Sequence, residues 1–214
     1  MNPRLARPLI GVLAVQGAFA EHGRSLAACG AGTVEVRGPS DLAGVDGIVL
    51  PGGESTTLGL VAEGSGLLEA LRGEIRGGLP ALGTCAGMIM LARATTGGAQ
   101  PLIGGMDMVV RRNAYGRQRS SFEARVAVPA FGPPAVDAVF IRAPWIESAG
   151  PGVEILGRLD GRGVAARCEN LMATAFHPEL GDELRFHEWL VGRARERRAG
   201  GAGVETREGN VRAQ

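Results

Sequence analysis

The stretch Leu79-Pro80-Ala81-Leu82-Gly83-Thr84-Cys85-Ala86-Gly87-Met88 runs from an apolar, strand-like segment into Gly-x-Cys-x-Gly and on into a helix-like segment. A strand that passes directly into a helix through a nucleophilic side chain makes a sharp, strained turn, and bulky neighbours would clash there. Glycines at 83 and 87 remove that clash. Such a turn lifts the Cys85 sulfur above the carboxyl end of a sheet. The helix that starts beside it stabilises the thiolate through its N-terminal dipole. The backbone amide of Ala86 is then a natural oxyanion donor. A free cysteine is more often a small buried hydrophobe. The glycines on either side and the position between strand and helix favour the nucleophile for Cys85. Cys29 and Cys168 have no such setting and read as buried apolar residues.

Working outward, strand-like and helix-like segments alternate. Leu9–Val15, Thr33–Val36, Gly47–Leu50 and Ala81–Gly83 read as strands. Phe19–Ala28, Leu67–Arg76 and Ala86–Ala94 read as helices, the first two closed by Gly30 and by Gly77-Gly78. Continuously apolar strands separated by helices imply an α/β fold: a mostly parallel open sheet with helices on both faces. From Gly104 to Glu169 the pattern changes. Short runs (Met106–Val110, Phe122–Val128, Ala138–Ile141, Val153–Leu159) separated by Gly/Pro turns predict an antiparallel extension of that sheet. Leu171–Phe176 is a last apolar strand and Asp182–Arg197 a terminal helix. Residues 1–198 form a single domain, and the polar, Gly-rich residues 199–214 are expected as a tail without fixed structure.

Composition sets the outer bounds. The chain has 214 residues, 45% of them hydrophobic, with 23 basic and 22 acidic side chains. That length suits one core. A net charge of +1 gives no global attraction for nucleic acid. Every basic residue is arginine, so Schiff-base lysine chemistry and a Walker-type phosphate lysine are excluded. Three cysteines without framework spacing argue against a disulfide scaffold and for a reducing cytoplasm. Arg4, Arg7 and the apolar run from Leu9 mimic a signal peptide, but Gln16 and Gly17 interrupt the run early. No segment approaches the ~20 apolar residues of a membrane span.

Ligands of open α/β sheets bind beyond the carboxyl ends of the strands. The strand Leu171–Phe176 ends in His177-Pro178-Glu179. Proline keeps the preceding residue extended, and residues two apart in an extended segment point the same way. Glu179 is thus placed to take the Nδ1 proton of His177, leaving Nε2 for the Cys85 thiol, which is the logic of nucleophile, base and orienter. His187 reads as a packing residue of the terminal helix. His22 opens a helix near the first strand end and reads either as packing or as the edge of a site. The three histidines lack metal-ligand spacing, so no metal is expected.

Pro51-Gly52-Gly53-Glu54-Ser55-Thr56-Thr57 follows another buried strand. The amides of Gly52 and Gly53 are candidates for the oxyanion wall opposite Ala86, and Ser55 or Thr56 for the cap of the next helix. Arg111–Arg119 is a local basic loop. Within a neutral protein it fits an anion site better than nucleic acid, whose affinity scales with the number of phosphates neutralised. Phe140-Ile141-Arg142-Ala143-Pro144 ends another strand with an arginine.

These motifs together resemble the class I, triad-type glutamine amidotransferases, and among them the glutaminase-subunit branch of the pyridoxal 5′-phosphate synthases. The resemblance spans residues 9 to 195. It includes Ala14–Gly17, Glu21-His22, PGGESTT (51–57), GTCAGM (83–88), RNAYGRQ (112–118), FIRAP (140–144) and FHPEL (176–180). Gly-x-Cys-x-Gly with His-x-Glu fits any triad amidotransferase. RNAYGRQ, FIRAP, Met88 after Gly87 and Glu54 after the double glycine single out the branch. The resemblance implies a flavodoxin-like fold and a Cys85–His177–Glu179 triad. It implies glutamine contacts at Gly53, Glu54, Ser55, Arg112, Ile141 and Arg142, and no cofactor. It also implies L-glutamine as substrate and a TIM-barrel synthase subunit as the recipient of ammonia, in a cytoplasmic complex. Two other readings share these residues: a different cysteine hydrolase such as a γ-glutamyl hydrolase, and a binding subunit that has kept only the fold.

Overall fold

A computed structural model describes residues 7–116 and 121–208, without the side chains of 201–208. Five strands carry the parallel half of the sheet: β1 (Leu9–Leu13), β2 (Gly32–Val36), β3 (Gly47–Leu50), β4 (Ala81–Thr84) and β12 (Leu171–Thr174). They lie in the order β2-β1-β3-β4-β12, every neighbouring pair parallel. β3, β4 and β12 are buried at every residue, as strands covered on both faces must be.

Helices α1 (Phe19–Ala28) and α5 (Arg185–Glu208) pack together over β1 and its neighbours. α2 (Ser55–Gly64), α3 (Leu67–Arg76) and α4 (Ala86–Leu91) form a second group. Successive residues of a strand face opposite sides, and β4 illustrates this at its end. Gly83 abuts Leu91 of α4, whereas the hydroxyl of Thr84 meets His22 of α1. The helix α3 buries Leu67, Leu68, Leu71 and Ile75 at three- and four-residue spacing, and Gly66 and Gly78, both at positive φ, bracket it.

Beyond β12 the sheet continues through β11 (Arg162–Cys168), β9 (Trp145–Ala149), β6 (Met106–Arg111) and β5 (Ala92–Thr96), with β10 (Glu154–Leu159) paired to β11. All these pairings are antiparallel except β5 with β6. Three features differ from the sequence reading. The helix expected over Ala86–Ala94 stops at Leu91, because Ala92–Thr96 gains a ladder with β6 that outweighs the helix preference of its alanines. β7 (Ser121–Val126) and β8 (Val136–Ile141) leave the main sheet and form their own antiparallel pair. Aromatic packing anchors that pair: Phe140 stacks on Phe122 at 4.8 Å between centroids and meets Phe176 edge-on at 5.6 Å. Finally, α5 runs on to Glu208, past Arg197 where the sequence placed its end. No proline interrupts it, and its glycines weaken a helix without stopping it. The proposed tail therefore falls on helical backbone over 199–208, and residues 209–214 lie outside the described residues.

Candidate active site

The turn between β4 and α4 places Cys85 at φ 50°, ψ −99°, a conformation that costs a residue with a Cβ about 1–3 kcal/mol. Tight packing holds it there. The Cys85 amide donates to the Thr174 carbonyl of β12 at 2.7 Å, and the Ile89 amide donates to the Cys85 carbonyl at 3.3 Å. The flanking glycines are steric requirements. A Cβ on Gly87 would stand 1.9 Å from the Leu50 carbonyl oxygen, and one on Gly83 would stand 2.5 Å from that of Gly87. The helix thus sits directly on the end of β3. The Cys85 Sγ lies 3.7 Å from the Ile141 carbonyl that accepts its hydrogen bond.

His177 follows β12, and its amide donates to the Val139 carbonyl at 2.9 Å. The β7–β8 pair therefore grips the base through Val139 and meets the nucleophile through Ile141. The Nδ1 of His177 lies 2.7 Å from Glu179 Oε1, and the ring shares the lining of one cavity with Cys85. The route to this contact differs from the extended segment inferred above. Pro178–Leu180 is a 3₁₀ turn, and the turn brings the carboxylate back to the ring. Burial disfavours a charged His177, but the Cys85 side chain and the Glu179 carboxylate outweigh it, raising the pKa from 6.5 to about 10. Burial likewise opposes the charge on Glu179. Hydrogen bonds from His177 and His22 overcome it and hold the carboxyl well below the usual range. Both shifts favour an imidazolium held by a carboxylate.

The other two histidines were not assigned to the triad, yet both belong to the same buried cluster. His22 Nε2 lies 3.3 Å from Glu179 Oε1 and 3.2 Å from Thr84 Oγ1, and its Nδ1 lies 2.9 Å from His187 Nε2. Both rings are fully buried.

The triad opens on a cavity of about 370 Å³. Gly52, Gly53, Glu54, Ser55, Arg112, Ile141 and Arg142 all line it with Cys85 and His177. Every substrate-contact candidate is thus brought to one place. Asn113 and Leu180, which the sequence reading passed over, join them. Ala86 heads α4 immediately behind the sulfur. Gly52 is fitted against the base, since a Cβ there would lie 2.3 Å from His177 Cε1. Gly53 sits at φ +155°, and the Gln16 side chain donates to the Glu54 carbonyl at 2.6 Å.

The cap of α2 corrects an expectation. Neither Ser55 nor Thr56 caps it; the Glu54 carboxylate does, accepting from the Thr57 amide at 2.7 Å and the Thr56 amide at 3.2 Å. Ser55 is the first helical residue, and its hydroxyl donates to Gln100 instead. Arg112 Nη2 donates to Glu54 Oε1 at 2.9 Å. Burial works against the Glu54 charge, but these donors lower its pKa from 4.5 to about 2. Of the basic loop, Arg111 pairs with Glu147, while Arg117 and Arg119 lie outside the described residues. Among the described residues no group of three or more His, Cys, Asp or Glu could hold a metal ion.

Comparison with known proteins joins this geometry to a family. Residues 12–196 match the model of the SNO glutamine amidotransferase family. The chain is 54% identical over 189 residues to the "Pyridoxal 5'-phosphate synthase subunit PdxT" of Parafrankia sp. (strain EAN1pec), covering 87% of this chain and 93% of that protein. It is 52% identical over 193 residues to the protein of the same name from Streptomyces avermitilis, covering 89% and 96%. A crystal structure of a glutamine amidotransferase superposes with a TM-score of 0.81 at 41% identity, over 86% of this chain and 98% of that one. A chain of PurLQS from Thermotoga maritima shares the fold alone, with a TM-score of 0.59 at 15% identity over 89% and 98%. The match runs through every strand that builds the cavity, and the chain belongs to the SNO glutamine amidotransferase family.

Proposed function

We propose that this chain is the glutamine-hydrolysing subunit of a pyridoxal 5′-phosphate synthase. The observation that carries the reading is the buried line Cys85–His177–Glu179 opening on a cavity at the carboxyl ends of the parallel strands. The relatives' shared name supports the choice of complex.

In this reading the Cys85 thiolate attacks the side-chain amide carbon of L-glutamine. Negative charge develops on the amide oxygen, which faces the amides of Ala86 and the Gly52-Gly53 turn. His177 gives its proton to the departing nitrogen, the C–N bond breaks, and ammonia leaves a γ-glutamyl thioester on Cys85. The neutral ring then takes a proton from water, which attacks the thioester and releases glutamate. The tetrahedral adduct collapses, the C–S bond breaks, and the thiolate departs beside the His177 ring that already carries water's proton. Glu179 holds the ring in the tautomer and orientation that both steps need. Gly53, Glu54, Ser55, Arg112, Ile141 and Arg142 surround the substrate. Glu54 acts largely through the α2 cap and through Arg112, because its carboxylate is already occupied by them.

Ammonia passes to a TIM-barrel synthase subunit that assembles the pyridine ring. Pyridoxal 5′-phosphate is then the product of the complex, and this chain carries no cofactor of its own. A cytoplasmic setting fits three unpaired cysteines. Among the described residues no helix is long and apolar enough to cross a membrane. The partner has a second task. The peptide between Gly52 and Gly53 has no Cβ on either side to fix its orientation, and a misdirected oxyanion donor forfeits about 10²–10³-fold in rate. A subunit docked over that edge selects the productive orientation. The experiment is glutaminase kcat/KM for the purified chain with and without its synthase subunit. A large rise on adding the partner is expected. Full activity alone, unchanged by the partner, would favour a free-standing γ-glutamyl hydrolase.

A further inference from the structure

We propose that His22 and His187 are positioning residues that extend the triad into a five-member buried line, with His22 fixing the Glu179 carboxylate and His187 fixing the ring of His22. This rests on the reading of Cys85, His177 and Glu179 as the reacting triad. The line joins four places that the sequence leaves far apart: α1, the turn between β4 and α4, the turn after β12, and α5.

The contacts set the proton arrangement. An ionised carboxylate only accepts hydrogen bonds. Glu179 Oε1 receives His177 at 2.7 Å and faces His22 Nε2 at 3.3 Å, so His22 Nε2 carries a proton and donates. Its Nδ1 then shares a single proton with His187 Nε2 across 2.9 Å, whichever ring holds it. The Thr84 hydroxyl, one residue before the nucleophile, lies 3.2 Å from the same Nε2. The titratable groups facing His22 are thus Glu179 from the turn and His187 from α5; its helix neighbour Glu21 pairs with Arg24 at the surface. On its other side His187 Nδ1 is buried and has no hydrogen-bond partner among the described residues. Burial and the nearness of His22 push its pKa down to about 3. His187 is therefore a neutral end-stop for the line.

The need for such a support follows from burial. Glu179 Oε2 has no hydrogen-bond partner among the described residues, so the carboxylate depends on what reaches Oε1. With only His177 to hold it, a buried anion in this position would rotate or take up a proton. Either change would strip the His177 imidazolium of its counter-charge. A ring that packs for volume alone would not need a nitrogen directed at Glu179 and another at His187. Leucine fills a comparable space without donors, and glutamine carries an amide donor that reaches the Nε2 position.

The variants are His22→Leu, His22→Gln, His187→Leu and His187→Gln in the full chain, assayed with its synthase subunit. Glutamine kcat and KM are one readout. The rate at which iodoacetamide alkylates Cys85 at about pH 6, where an ordinary cysteine is almost wholly thiol, is the other and needs no turnover. His22→Leu should lower kcat by about 10–100-fold, the usual effect of removing an outer-shell partner. KM should change far less, and alkylation should slow in parallel. His22→Gln should recover most of both. His187→Leu should follow His22→Leu at smaller size, with His187→Gln closer to wild type. Wild-type kinetics and alkylation in His22→Leu would overturn the proposal. So would equal losses in His22→Leu and His22→Gln, which would make the site one of packing alone. A wild-type complex that fails to hydrolyse glutamine would overturn the functional reading instead, and the alkylation series would still decide on the line.

Discussion

Replacing Gly52 by alanine is the sharpest steric perturbation of the site. Gly52 does not sit in the left-handed region, so alanine meets no backbone strain, and the whole effect comes from one methyl group. That Cβ would stand 2.3 Å from His177 Cε1. Carbon atoms settle at about 3.5–4.0 Å, so the ring must retreat by roughly 1.2–1.7 Å. It cannot do so while keeping both the 2.7 Å contact with Glu179 and its place on the cavity wall with Cys85. A displacement of about 1 Å in a reacting geometry costs on the order of 10²-fold. The ring borders the cavity and can swing into it, so stability should fall by only about 1–3 kcal/mol, as for other overpacked sites. Ammonia release from glutamine, followed by coupled oxidation of a nicotinamide cofactor with the synthase subunit present, gives kcat; a thermal melt gives stability. A folded Gly52→Ala protein should lose about 10²-fold or more in kcat. Turnover within a fewfold of wild type would show that the ring is not held where these contacts place it.

Cys85→Ala should abolish ammonia release but still bind glutamine by calorimetry. Cys85→Gly should unfold at a higher temperature than Cys85→Ala, because relief of about 1–3 kcal/mol of backbone strain exceeds the usual ~0.4–1 kcal/mol entropic cost of glycine; the reverse order would mean that the turn stores no strain. Arg112→Lys should raise KM by about tenfold or more, the loss of a charge-assisted hydrogen bond, since one ammonium cannot hold Glu54 and a substrate carboxylate with the geometry of a planar fork; equal kinetics would remove the case for bidentate recognition. The raised pKa of His177 sets a pH window: its stabilising effect is complete below 6.5 and is lost as pH rises through about 10. Urea unfolding across that range should show a decline in wild type that flattens in His177→Asn. Truncation after Ala199 should leave glutaminase activity unchanged, and a large drop in thermal stability would show that the last turns of α5 dock.

Much of the site was legible because its parts are local. Gly83, Cys85 and Gly87 report a tight strand-to-helix turn through their own sterics. His177 and Glu179 are two residues apart, so almost any fold of Pro178 leaves them in reach. Burial in β3, β4 and β12 follows from uninterrupted apolar runs. What escaped depends on long-range placement. Nothing near His22 or His187 announces that α1 and α5 meet over the end of β4, since strand order is a property of the whole sheet. Ala92–Thr96 reads as helix because alanine prefers it, and only the partner β6 reveals otherwise. The α2 cap went to Glu54 because a glutamate carboxylate can fold back to the first turn, a preference weaker in sequence than that of the serine beside it. Arg112 pairs with Glu54 across 58 positions, a contact no local pattern encodes.

The central claim is that Cys85 carries the γ-glutamyl group of glutamine during turnover. Acid-quenching the complex with its synthase subunit a few milliseconds after mixing with isotopically labelled glutamine, followed by peptide mass spectrometry, tests it directly. One γ-glutamyl group should appear on the peptide containing Cys85, accumulate in His177→Asn if any attack survives, and be absent from Cys85→Ala. Labelled glutamate and ammonia released with no adduct on Cys85, or with the label on Cys29 or Cys168, would contradict the account.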